Sequence, residues 1–574
     1  MVGVAHFASV VAATVGVAAS GASKSTKRCF PDDFLWGTAT ASYQVEGGWN
    51  ETGRTPSIWD DFCRKNADVQ CANVADDFVH RYKGDIAIMK HIGLSSFRLS
   101  ISWSRLMTWN NTTKKMERNQ PGIDFYHSLL DTLHAAKIKP VVTLYHWDLP
   151  LALQTNVDGW LDPAIVTHFN EYAELVFDEF GAKAQYWTTF NEPTSFVLAG
   201  YAEQGRHPPS VKNSDTAAYL ATHHVLLSHA NAVKTFRSKS IDGQIGIVLV
   251  SNMAFPLDKS SPQDQEAAER VLQFNVGWYL NPIVNGDYPE VVKKRAGAHL
   301  PQFTAEESAL LKGSYDVFMF NHYSSNLVTD CASPTSEKPC AQLARGWAAD
   351  LGVDAVRFPV GSRPASTNAN GDRLCTWFNG YPEGYLPYIR WGHAFNKSTP
   401  ILLTENGWCG NSTIDNQDQL WYYQNYVDEV WQGIQEGIPI IGYHAWSFVD
   451  NYEWGSFEPR FGLFHVDFPA ETGSKEGYTP RKNDLKLTPR PAAFWYEKLA
   501  KTNCLPEEHK KHSKHDEEAE TVELAAAAPK QSMSLLSWGF FGAVAALAGF
   551  VYRKQRRQQR RILDEQTPLV TKDL

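Results

Sequence analysis

Two short stretches end in a carboxylate where the preceding residues read as buried strand. In "WTTFNEP", Trp187 to Pro193, β-favouring residues run into Asn191 and Glu192, and a proline stops the run. In "PILLTENGW", Pro400 to Trp408, an apolar run ends at Glu405 and breaks at Asn-Gly. A glutamate is almost never fully buried unless it is paired or at work. Two such acids flanking one bond can cleave a glycoside. A separation of about 5–5.5 Å gives retention through a covalent intermediate, and a wider gap leaves room for a water and inverts. Either glutamate alone could be a helix-start neighbour or half of a salt bridge. Both together, among Asn, His, Tyr and Trp, point to a working pair.

The elements that must hold them are short apolar runs separated by stretches of helical spacing. Eight such runs occur: "FLWGTAT" near Phe34, "SSFRLS" at Ser95, "PVVTLYHW" at Pro140, "YWTTFNE" at Tyr186, "IGIVLVS" at Ile245, "DVFMFNHY" at Asp316, "PILLTEN" at Pro400 and "IIGYHAWS" at Ile440. Between them, "GIDFYHSLLDTLHAAKIK" and "PAIVTHFNEYAELVFDEFG" space their apolar residues as helices do, the first ending in lysines and the second at Gly181. Alternating strands and helices imply parallel crossovers, and eight of them predict a single (β/α)8 barrel, an α/β fold of the TIM type. Each run turns polar or aromatic only at its end, at Arg98, His146 with Trp147, Asn191 with Glu192, Asn321 with Tyr323, Glu405 and Trp446. The C-terminal strand ends are where such a barrel builds its active site. Glu192 and Glu405 fall on the fourth and seventh strands, placed to meet across one pocket.

The aromatic content suits a sugar. A pyranose has an apolar C–H face for a tryptophan and hydroxyls that amides and carboxylates read. The last strand runs into "WSFVDNYEWGSFEPRFGL", bringing Trp446, Glu453 and Trp454 into one loop. A formal charge of −9 argues against nucleic acid as a partner. No His-Glu-x-x-His, tight Cys/His cluster or Gly-rich phosphate loop is present, so neither a metal nor a cofactor is expected.

The ordered motifs "FLWGTATASYQVEGG", "FRLSISWSR", "YHWDLP", "TFNEP", "LTENG" and "WSFVDNYEW" closely resemble the family-one β-glycosidases, from about Phe30 to about Leu499. The resemblance implies that Glu405 is the nucleophile and Glu192 the acid and base, with Arg98 and Tyr323 orienting Glu405. It implies Asn191 at the sugar 2-hydroxyl. Gln44, His146, Trp147, Asn321, Glu453, Trp454 and Phe461 would complete the substrate site, with Trp446 as stacking platform and Trp377 against the leaving group. Myrosinases of this family carry Gln at the position of Glu192. The 6-phosphoglycosidases replace the residue at Glu453, whose charge here would repel a phosphate. His322 departs from the commoner Tyr, with an expected effect on packing behind Tyr323 and none on the chemistry. The implied substrate is a β-glucoside or oligosaccharide, with galactosyl and fucosyl groups also open. The rival expectation is a catalytically idle glycosidase-like ectodomain serving as a receptor.

The ends add a location. Residues 1–22 are apolar and then small, resembling a secretory signal peptide without its basic start, with an uncleaved anchor as the alternative. The catalytic domain is assigned to 23–504 and a charged stalk to 505–532. Met533 to Tyr552 is uncharged and about twenty residues long, enough to span a bilayer. The basic tail, 553–574, should stay cytoplasmic. The expectation is a single-pass type I membrane protein, its body extracellular or lumenal, at the cell surface or in a vacuole- or lysosome-like compartment. Eight cysteines fit an oxidising compartment. Cys63 with Cys71, and Cys331 with Cys340, are close enough in sequence to pair locally. Sequons stand at Asn50, Asn110, Asn111, Asn396 and Asn411.

Overall fold

β-Branched and aromatic residues between turn signals form eight barrel strands in the computed structural model, which describes residues 27–202, 206–212 and 214–506. They are β1 (Leu35–Ala39), β2 (Ser96–Ser100), β3 (Lys139–Tyr145), β4 (Tyr186–Asn191), β5 (Gln244–Val250), β6 (Phe318–Asn321), β7 (Ile401–Asn406) and β8 (Ile440–Trp446). Every neighbouring pair is parallel, in sequence order, and β8 closes on β1. The helix over Ala164–Phe180 buries Ile165, Phe169, Tyr172, Ala173, Val176, Phe177 and Phe180, a three-four spacing that lays one face on the barrel. Gly181 does not stop this helix in a left-handed turn. It continues into a 3-10 turn, Gly181–Lys183.

The barrel interior changes character along its axis. Leu35, Val141, Val248 and Leu402, from alternate strands, pack with Met319 as an apolar plug. Gly442 on β8 has no room for a side chain beside Leu35 and Leu402. The lining is not aliphatic throughout, as the sequence pattern suggested. Ser96 Oγ lies 3.0 Å from His444 Nε2. Burial, with the nearby Arg98 charge, pushes that imidazole down to about 3, so it is neutral.

The two acid-bearing strands are irregular where the acids emerge. The register of β4 against β5 shifts between Thr188 and Asn191, and that of β7 against β6 between Leu403 and Glu405. Such shifts re-aim a side chain at a barrel rim. The strands stand three places apart on the ring, so the acids come from two walls that are not diametrically opposed.

Both expected local disulfides are present, Cys63–Cys71 and Cys331–Cys340. Two more link distant segments, Cys29–Cys504 and Cys375–Cys409. Among the described residues no helix is long and apolar enough to cross a membrane. The expected signal peptide, the stalk beyond Pro506, the span 533–552 and the basic tail lie outside the described residues.

Candidate active site

The chain leaves β4 through a left-handed residue, Glu192, at φ 47°. Its backbone N–H still donates to Val248 O at 3.0 Å, and the next helix starts at Pro193. Trp147 (φ 74°) and Trp454 (φ 43°), on the same cavity wall, share this unfavourable backbone region. Non-glycine residues held there cost about 1–3 kcal/mol each and collect at functional sites. The Glu192 carboxyl receives two neutral donors, Asn321 Nδ2 to Oε1 at 2.6 Å and Ser195 Oγ to Oε2 at 2.8 Å. Thr404 Oγ1 donates to Asn321 Oδ1 at 2.7 Å, which fixes the way the Asn321 amide faces.

Glu405, at the end of β7, has a different escort. The fully buried Arg98 guanidinium donates to Oε1 and the Tyr323 hydroxyl to Oε2 at 2.7 Å. Burial first, then the Glu405 charge, raises the Tyr323 phenol well above its ordinary value, so it remains a donor. Gly407, two residues on, has no space for a side chain against the Trp446 carbonyl. That close approach explains the glycine after Asn406.

Asn191 couples the two halves. Its Oδ1 accepts from Arg98 Nη2 at 2.6 Å and from Asn321 Nδ2 at 3.3 Å. The amide nitrogen therefore donates, and it lies 3.0 Å from His146 Nε2. His146 Nε2 is then an acceptor and the ring proton sits on Nδ1, which has no protein partner. Burial, then Arg98, holds this imidazole well below its usual range, consistent with a neutral ring.

Both acids line one cavity of about 630 Å³. Loss of solvent, then the charge of Glu405, pushes the Glu192 carboxyl up to about 7, against the pull of Asn321, Ser195 and Arg98. Burial also raises Glu453 well above the carboxylate range, although Trp446 Nε1, at 3.2 Å, favours its charged form.

The structure brings the expected residues together in two tiers. Glu192, Glu405, Tyr323, His146, Trp147, Asn191, Trp377, Trp446, Glu453, Trp454 and Phe461 form the cavity wall. Arg98, Asn321 and Gln44 are buried behind it. Gln44 Nε2 donates to Tyr452 O at 2.7 Å and to Glu453 Oε1 at 3.5 Å, and its Oε1 is left without a partner. His322 is stacked between Tyr385 and Tyr388, with Nδ1 3.0 Å from Ser251 O, and it hydrogen-bonds neither carboxyl group through its side chain. Ser195 and Thr404 were not anticipated, nor were Asn252 and Asn275, which also line the cavity. The offset of Ser195 from Glu192, one helical turn, was a readable signal; the others depend on tertiary packing.

A closed parallel barrel with two differently escorted acids at its strand ends, flanked by tryptophans and amides, defines a glycoside hydrolase. Residues 26–505 match the family model described as Glycosyl hydrolase family 1, and the chain belongs to that family. It is 35% identical to Beta-glucosidase 30 of Arabidopsis thaliana over 511 residues, covering 84% of each chain. A rice beta-glucosidase mutant solved in a covalent complex with glucose superposes with a TM-score of 0.73 at 33% identity, covering 82% of this chain and 98% of that one. A Humicola insolens beta-glucosidase in complex with glucose gives 0.73 at 32% identity, covering 84% and 100%.

Proposed function

We propose that the chain is a retaining β-glucosidase, with Glu405 as nucleophile and Glu192 as acid and then base. The observation that carries the reading is the unequal treatment of two acids in one cavity. Glu405 is paired with a guanidinium, while Glu192 is pushed up to about 7 and holds a proton to give. In the first step a Glu405 oxygen bonds to the anomeric carbon, the bond to the leaving oxygen breaks, and the Glu192 proton passes to that oxygen. Esterified Glu405 has lost its charge, so Glu192 becomes a stronger acid and rests as carboxylate. In the second step Glu192 takes a proton from water, the water oxygen bonds to the anomeric carbon, and Glu405 leaves. The covalent glucose complex of the rice relative supports this route. No observation favours an idle binding ectodomain, since both acids are present with their partners.

Asn191, with its amide held by Arg98, would meet the 2-hydroxyl, and His146 Nδ1–H would serve as a donor to another rim hydroxyl. Glu453 and Trp454 would read the remaining rim, with Gln44 behind Glu453, and with Trp446 and Phe461 against the sugar faces. Trp147, whose Nε1 donates to Asn191 O at 2.9 Å, would brace the floor. The test is the first-formed product: proton NMR during hydrolysis of an aryl β-glucoside should show β-glucose ahead of mutarotation. Initial release of the α anomer would overturn the double displacement.

The location is part of the same proposal. The uncharged run 533–552 before Arg553–Arg561 supports a single-pass type I anchor, and four disulfides support a catalytic body in an oxidising lumen or outside the cell. Alkaline carbonate should leave the full chain in the membrane pellet, with the body protease-protected in sealed vesicles. A chain released by carbonate would exclude the anchor.

A further inference from the structure

One side of the cavity is not built by the barrel. Beyond β6 the chain makes a long excursion with only short elements and returns to the cavity as Leu374, Cys375, Thr376 and Trp377. These residues end a hairpin in which Thr367 bridges Arg373 antiparallel and Leu374 N–H donates to Ser366 O at 3.1 Å. Arg373 donates onward to Phe378 O and Asn379 Oδ1, so the hairpin and the Trp377 segment are tied together. The hairpin is fixed to the segment leaving β7 by the Cys375–Cys409 disulfide and by Ser366 N–H to Cys409 O at 3.1 Å. Cys409 lies four residues beyond Glu405. On the hairpin's other side is a second groove of about 500 Å³ that includes Thr367 and Asn368, and Leu374 belongs to both walls. The hairpin is a partition, with a covalent tie to the exit of the strand that carries Glu405.

Trp377 shows why the tie matters. It is 46% exposed, and its ring meets Tyr323 and Phe378 only edge-on, at 5.8 and 5.7 Å. A side chain so thinly packed takes its position from its backbone, which is two residues from the cross-link. Opening a disulfide that spans 34 residues returns freedom to the segment it closes.

We propose that the Cys375–Cys409 cross-link is a positioning device for the leaving-group side of the cavity. It holds Leu374 and Trp377 at a set reach from Glu405 and so decides which extended leaving groups, flat aryl systems or a further sugar ring, are accepted. The inference rests on the β-glucosidase reading. Its consequence is a dependence on leaving-group size, which an inert structural bridge lacks.

The experiment compares C375S/C409S with wild type on three substrates: β-glucosyl fluoride, 4-methylumbelliferyl β-glucoside and cellobiose. For the fluoride, kcat/KM should stay within about twofold; for the two larger substrates it should fall about tenfold or more, mainly through KM. A C331S/C340S pair, in the same excursion but away from the cavity, should leave the ratio between substrates unchanged. Parallel losses on all three substrates, no loss on any, or an equal ratio change in the control pair would overturn the proposal. Should the serine pair fail to fold, C375V/C409V takes its place. Should that fail too, the same three-substrate ratios are read on folded wild type after mild thiol reduction, with unchanged ratios on loss of the bridge overturning the proposal. A wild-type chain inert toward the fluoride would instead overturn the β-glucosidase reading.

Discussion

The ends of β4 and β7 present the same side chain to the same cavity in opposite electrical settings. Glu405 is met by a buried guanidinium and a phenol, while Glu192 is met by an amide and a hydroxyl. Both are almost fully buried, so burial does not separate them. What separates them is which one receives the cation, together with the charge that one acid imposes on the other. Arg98 is fixed on β2 and hydrogen-bonds Glu405 directly, but on the Glu192 side it hydrogen-bonds only Asn191 and acts on the second acid through its charge. Division of labour between two equal carboxyls therefore follows from the position of a single arginine.

The sharpest way to break the comparison is to remove the paired carboxylate. Glu405→Gln keeps the shape, its amide oxygen accepting from Arg98 and its NH2 left to donate to the Tyr323 oxygen, yet turnover of an aryl β-glucoside should drop by about 10⁵-fold or more. Near-normal turnover by a folded E405Q would end the assignment. Glu192→Ala comes next, with a loss of about 10²–10⁴-fold on substrates with poor leaving groups and a small loss where the leaving group needs no proton. Added azide should restore turnover of the activated substrates and give the β-glucosyl azide. Failure of rescue in a folded E192A would count against the acid and base role.

The positions of the two acids were legible in the sequence, while their unequal escorts were implied only by the family resemblance. Both acids stand at strand ends because the barrel places strand termini at its mouth, and a strand declares its end by turning polar. Eight apolar runs sufficed for the fold, and the observed strand bounds fall within a few residues of them. The orientation of Asn321 by Thr404 was not legible, since it joins adjacent strands whose register slips between Leu403 and Glu405. Nor were the Cys29–Cys504 and Cys375–Cys409 pairs, whose partners are 475 and 34 residues apart. Spacing finds a bridge that closes a local loop, and only the folded chain shows which distant thiols meet. The partition hairpin escaped notice for a related reason: it has no period of its own and takes its place from that bridge.

Titration sharpens the comparison further. The free enzyme needs Glu192 protonated, so kcat/KM should fall above a limb near pH 7, about tenfold per unit. The Asn321 hydrogen bond favours the charged form of Glu192, so Asn321→Ala should move that limb upward while lowering kcat. A limb that stays in place would show that Asn321 does not act on Glu192. Stability follows with a definite sign. A carboxyl raised from an ordinary 4.5 to about 7 stabilises the fold fully below 4.5, and this contribution is lost as pH rises through 7. The change amounts to roughly 3 kcal/mol for this buried group. Glu453 is shifted in the same direction, so the readout is the difference between wild type and Glu192→Gln. Relative to E192Q, the wild-type Tm should fall between pH 5 and pH 8, and a pH-independent difference would contradict the raised carboxyl.

The smallest expected effect lies just behind the Glu405 side. His322 is the residue next to Tyr323, yet its ring packs on Tyr385 and Tyr388, and burial pushes it down to about 4. A neutral imidazole turned away from Glu405 adds no charge to the electrical asymmetry. Its Nδ1 contact to Ser251 O and its stacking contribute to packing alone. His322→Tyr should therefore leave the pH limb near 7 in place and change kcat/KM by about twofold or less, while Tm shifts with the fit of the larger ring. If the limb moved with this substitution, the asymmetry would not belong to Arg98 alone, and the ring behind Tyr323 would have to be counted among the groups that set it.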